Sequence, residues 1–203
     1  MEKIDTRDKN YDWLLFPKAY FYSVIICCKW LEKRLTDFLH NTEVVNSDET
    51  FKFYSPEYLI FPIIYNLKHA LELYLKALSR LCNGSYLGKE HNMEKLLQDL
   101  ENKNKNIKLS DKLKNIIKKY HEGKYVPFSA PGNTIKDTKN KAERYPEHFA
   151  YFIPEFFEFD KNKSNVKSWV NQKLIKEIEG DAKKSFEELG KIQKILLSQN
   201  NRR

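Results

Sequence analysis

Glycine and proline are scarce in this chain, six and seven in 203 residues, which leaves little material for the turns of an all-β architecture. Cysteine is scarcer still. Cys27, Cys28 and Cys82 are odd in number, two of them are adjacent, and all three fall in apolar helical contexts. Neither a disulfide framework nor a zinc spacing fits that pattern, and the three read as reduced core thiols. There is no phosphate-cradling glycine loop, no His-Glu-x-x-His, no Cys-x-x-Cys and no glycine-flanked nucleophilic serine. The common nucleotide-loop, zinc-protease and serine-hydrolase chemistries therefore lack their motifs, and neither a metal nor a cofactor is expected. The N-terminus, MEKIDTRDKNYDW, is charged and leads into no signal core. The apolar runs are interrupted short of the roughly 20 residues of a membrane span, so the expectation is a cytoplasmic chain with no membrane contact.

Abundant residues point the other way, toward helices. Of the chain, 41% is hydrophobic and 32% charged, and 203 residues suffice for one domain, 1–203, with a substantial core. The formal net charge is +8. The excess gathers between Asn102 and Lys124, where eight lysines face only Asp111 and Glu122. Lys114, Lys118 and Lys119 could there meet an anionic partner such as RNA, or simply fill a solvated helix face.

Helical periodicity recurs along the chain. A first helix is expected from Pro17 to about His40, with Tyr20, Val24, Cys27, Leu31, Leu35 and Phe38 on its apolar face. Ser55-Pro56-Glu57 starts a second, which Pro62 should kink or delay, running to about Cys82 before Asn83-Gly84. Met93, Leu96, Leu97 and Leu100 mark a third, and Ser110 caps a fourth through Leu113, Ile116, Ile117 and Tyr120. The stretch 123–140 reads as a loop. RYPEHFAYFIPEFFEFD is aromatic-rich and broken by Pro146 and Pro154, and its acidic neighbours favour packing over base stacking. A long last helix is expected over about 167–199, with Leu174, Ile178, Ala182, Leu189, Ile192 and Leu196 in a stripe.

On the second helix, His69, Glu72, Lys76 and Arg80 share one stripe, while Leu67, Leu71, Tyr74, Leu78 and Leu81 form another. The polar stripe could be a substrate site or an exposed to half-buried ion-pair ladder, since Glu72 precedes Lys76 by the favourable four residues.

Three segments, NLKHALELYLKALSRL, GKEHNMEKLLQDL and KAERYPEHF, in this order resemble the HEPN family. Its pattern is an Ala-x-Glu-x-x-x-Lys-Ala helix, a His-Asp-Leu-x-x-Leu helix start and an Arg-Tyr-Pro loop. Ala70, Glu72, Lys76 and Ala77 match the first element, His91 and Leu96 the second, and Arg144, Tyr145 and Pro146 the third, over about 58–149. Asn92 and Met93 stand where the family has Asp-Leu. Only three residues separate Arg144 from His148, fewer than in the Arg-to-His motif of members that cleave RNA.

The resemblance implies an all-α, antiparallel helical bundle of about five helices, with the aromatic-rich segment irregular before the last one. It also implies a homodimer that binds RNA or a nucleotide, in a toxin or phage-defence setting. Cleavage would proceed without metal: Arg144 holds phosphate, His91 or His148 moves a proton, and His69, Glu72, Lys76 and Tyr145 contact substrate. The imperfect Arg-to-His spacing keeps a second reading open, a catalytically silent module that scaffolds or senses for a partner protein.

Overall fold

The computed structural model describes residues 6–40, 56–83, 90–105, 107–121 and 172–200. These form α1 (Thr6–His40), α2 (Pro56–Asn83), α3 (Met93–Lys103), α4 (Asp111–His121) and α5 (Gln172–Asn200). There is no strand among the described residues, and the fold is an all-α bundle. The 123–140 loop and the aromatic segment lie outside the described residues.

α2 organises the bundle because it is apolar nearly all round. Between Ile60 and Leu81 most of its side chains are buried, and it is the one described helix that packs on all four others. A helix with no dominant polar face can be stable only when enclosed. Side-chain pairs fix the directions. Ser23 meets Asn66, Tyr20 meets His69 and Trp13 meets Arg80, so α1 and α2 run antiparallel. Phe21 meets Phe186 and Glu32 pairs with Lys176, so α5 is antiparallel to α1 as well. α2 and α5 consequently lie side by side in the same sense. Tyr74 Oη donates to Gln193 Oε1 at 2.7 Å, and one α2 turn-pair further on, Asn200 Nδ2 donates to the Leu81 carbonyl at 3.0 Å.

The first helix begins at Thr6, eleven residues before the expected Pro17, and Pro17 is an interior residue. An interior proline forfeits one backbone bond and crowds the preceding turn. Pro17 is itself buried, one helical step from the buried Leu14 and Phe21, so packing holds the helix through it. The inward stripe is Leu14, Pro17, Phe21, Val24, Cys28, Leu31 and Leu35, in alternating steps of three and four. Cys27 is exposed and Cys28 takes the core position, a correction to the reading of all three cysteines as core thiols. α2 starts at Pro56 and continues through Pro62, so Pro62 does not delay it.

The short helices are specified by their ends. Asn92 Oδ1 accepts from the Lys95 amide and Ser110 Oγ accepts from the Leu113 amide, each satisfying a first-turn donor. Asparagine and aspartate cap equally well, which is why Asn92 can stand where the HEPN pattern has Asp. Met93 fills the adjoining leucine position and is fully buried. α4 is strapped to α5 by Ser110 against Glu188, by Tyr120 Oη against Asp181, and by Lys119 against both Glu177 and Asp181.

α1 also carries the stretch Trp13–Leu35, long and apolar enough by composition to cross a membrane, a property that the interrupted runs did not suggest. A third of it is buried inside the bundle, which accounts for the apolar residues of its inner face.

Burial pushes the Cys28 thiol up to about 12, with the Glu179 carboxylate adding to the effect. Native protein treated with iodoacetamide at pH 8 is therefore expected to alkylate at Cys27 and to spare Cys28 until denaturant is added. Equal rates at the two positions in mass-spectrometric peptide analysis would contradict this packing. Tyr74→Phe removes the donor to the buried Gln193, and urea unfolding should show a loss of about 1–3 kcal/mol, the cost of an unsatisfied buried acceptor.

Candidate functional site

Midway along α2, a lysine and a glutamate one turn apart point into the bundle. Glu72 is 1% and Lys76 5% exposed at the side chain, and Lys76 Nζ donates to Glu72 Oε1 at 2.7 Å. The same oxygen lies 2.9 Å from Nδ1 of His91, in the turn that leads into α3. Two cationic or polar donors thus converge on one carboxylate oxygen.

The arrangement orients the histidine. An ion-paired carboxylate only accepts, so Nδ1 carries the shared proton and Nε2 is the nitrogen left to exchange one. The His91 side chain is 37% exposed, enough for a ligand to reach it. Its position is set locally by the α3 cap: Asn92, not His91, is the capping residue, and Glu90 accepts from the Asn92 amide at 2.9 Å. Glu90 is in turn held by Lys95, whose hydrogen bond lowers the Glu90 carboxyl below its ordinary value.

On the other side of Lys76, α1 and α2 fail to close against each other. Trp13, Phe16 and Tyr20 of α1 face His69, Leu73 and Lys76 of α2 across a cleft of about 210 Å3. The His69 ring is clamped, with Tyr20 edge-on at 4.8 Å and Tyr65 stacked at 5.6 Å. One turn beyond Lys76, the Arg80 guanidinium lies 5.1 Å from the centre of the Trp13 ring, within cation–π range.

The central segment of the chain is similar to the HEPN family. A family model described as HEPN domain matches residues 62–156, from the second turn of α2 onward. No curated protein and no solved structure matches the chain. The family match covers the segment that holds Glu72, Lys76 and His91 and extends over Arg144, Tyr145 and His148, which lie outside the described residues.

Within the matched segment the expected stripe therefore divides. Glu72 and Lys76 are a buried pair, joined by His91, whereas His69 and Arg80 are half-buried and belong with the aromatic cleft. A surface ladder does not describe Glu72 and Lys76, which are buried with Leu71 and Leu75 on the covered side of α2. The lysines of α4 sit elsewhere. Lys114 pairs with Glu101 at 2.7 Å and Lys119 with Glu177 and Asp181, while Lys118 is exposed. Lys114 and Lys119 thus spend their charge on the protein's own carboxylates. Trp13, Phe16 and Tyr20, which line the cleft, were not among the expected site residues. Their spacing of three and four was visible, but placing the helix start at Pro17 left the first two outside it.

Breaking a buried pair strands a charge. Glu72→Gln or Lys76→Met alone is expected to cost about 3–5 kcal/mol in chemical denaturation, and the double variant less than either single change. Additive losses would show that the two groups do not act as a pair.

Proposed function

We propose that this HEPN-like chain is a cytoplasmic, single-domain, homodimeric binder of RNA or nucleotide, acting as a metal-independent endoribonuclease in a toxin or phage-defence role. The observation that carries the reading is the His91 imidazole, fixed through Nδ1 by a buried carboxylate and turned toward solvent. A histidine so held is preorganised for proton transfer, because its tautomer and ring plane are set before any substrate arrives.

In the proposed reaction, a base takes the proton of a ribose 2′-hydroxyl as that oxygen attacks the adjacent phosphorus. The 5′-oxygen leaves and receives a proton from an acid, giving a 2′,3′-cyclic phosphate. His91 and His148 are assigned to the two proton transfers, and Arg144 to the phosphate, which its planar donor fork suits. Tyr145 beside Arg144, and Lys114, Lys118 and Lys119 of α4, are assigned to substrate binding. The α4 lysines support the reading less than His91 does, since phosphate must compete with Glu101, Glu177 and Asp181 for two of them.

A second reading, a catalytically silent interaction module, is favoured by a different observation. Leu15, Tyr22, Ile26 and Trp30 form an exposed apolar row on the outer side of α1, and aromatic rows of this kind are enriched at protein interfaces. Under this reading the row receives a partner protein and the His91 geometry is structural.

Pure protein incubated with mixed RNA in EDTA separates the two. Wild type is expected to cleave, and His91→Ala, Arg144→Ala and His148→Ala each to lower the rate by about 10²–10⁴, the range for losing one acid–base group. Undiminished cleavage by any one variant removes that residue from the mechanism. If folded wild type does not cleave, and a partner protein stays bound on pull-down after nuclease treatment, the interaction module is the correct reading.

A further inference from the structure

We propose that the cleft between α1 and α2 is a nucleobase pocket, separate from His91, that receives one base of a ribonucleotide and directs its phosphate toward Arg80. The inference takes its class of ligand from the reading of the chain as an RNA or nucleotide binder, and does not depend on cleavage.

The cleft is built from two helical stripes that face each other, Trp13, Phe16 and Tyr20 against His69, Leu73 and Lys76. Its walls are mainly apolar and aromatic, with Trp13 37% and Phe16 64% exposed. Leaving two such rings in water is unfavourable, and a flat ring placed between the stripes would cover them. At about 210 Å3 the space falls below the roughly 300–1,000 Å3 of sites for drug-sized ligands, and suits one ring system with its phosphate outside.

Charge selects the kind of ring. Arg80 stands over Trp13 beside the cleft and no described carboxylate lines it, while Lys76 contributes its stem, its ammonium being held by Glu72. An aromatic side chain from a protein would fill the space but make no use of the Arg80 charge. A nucleotide uses both features, because single-strand binders combine base stacking on aromatic side chains with positive charge along the backbone path. The fixed His69 ring, held between Tyr20 and Tyr65, adds a polar edge to the pocket without mobility.

Calorimetric titration of the whole protein with adenosine 5′-monophosphate, adenosine and ribose 5-phosphate tests this. Adenosine monophosphate is expected to bind saturably, adenosine more weakly, and ribose 5-phosphate not at all. Phe16→Ala, at a site exposed enough to keep the fold, should weaken the monophosphate about tenfold. Arg80→Gln should weaken the monophosphate and leave adenosine unchanged. Absence of monophosphate binding to wild type, unchanged affinity in Phe16→Ala, or ribose 5-phosphate binding as tightly as the monophosphate would each overturn the pocket. An Arg80→Gln protein that binds the monophosphate like wild type would overturn the phosphate placement. RNA cleavage by the same wild-type preparation is assayed alongside, so that failed RNA cleavage with intact monophosphate binding sinks the ribonuclease reading and leaves the pocket standing.

Discussion

An ammonium and a carboxylate, enclosed together on the central helix, set the terms for the rest of this protein. Taking two charges out of water costs several kcal/mol per ion unless each finds a partner in good geometry. Lys76 and Glu72 meet that condition one helical turn apart at 2.7 Å, and His91 supplies a further contact to the same oxygen. The requirement propagates outward. The turn before α3 must approach α2 closely enough for His91 to reach Glu72, and the Asn92 cap with the Glu90–Lys95 pair holds that turn in place. A hydrophobic pair of similar size would serve stability as well or better; what the charged pair adds is a fixed hydrogen-bond partner for His91.

The same helix presents two different faces. Toward α3 it presents a polar constellation that ends in a half-exposed imidazole. Toward α1 it presents His69, Leu73 and Lys76 to an aromatic row and leaves a cleft. Lys76 belongs to both, its charge answered by Glu72 on one side and its stem lining the cleft on the other. Elsewhere polar contacts join the helices. α4 is fixed to α5 and α3 through Lys119, Tyr120, Ser110 and Lys114, each with a carboxylate partner, so two lysines of the most basic stretch of sequence are paired within the protein.

Much of the architecture was legible before any coordinates, and for a definite reason. Helix faces are written in steps of three and four, and the buried Leu67, Leu71, Tyr74, Leu78 and Leu81, or Met93, Leu96, Leu97 and Leu100, repeat those steps without interruption. The HEPN resemblance likewise rested on residues whose order in the chain is enough to state it. Misreadings came where a local rule met tertiary packing. Pro17 looked like a helix start because proline is tolerated there, yet burial of Leu14, Pro17 and Phe21 carries the helix through it. Cys27 and Cys28 could not be told apart by composition; a rotation of 100° along the helix decides which one is inside.

What the chain alone determined is therefore the helical class, the positions of most helix faces, the Ser110 cap of α4 and the family to which its central segment is similar. All of these depend on spacing between near neighbours in sequence. Only the tertiary structure decided that Glu72 and Lys76 are buried rather than displayed, that His91 shares their oxygen across 19 positions, and that Trp13 and Phe16 stand opposite His69 and Leu73. Whether a charged pair lies on a surface or in a core depends on which helices cover it, and that is a property of packing between distant segments to which local periodicity is blind.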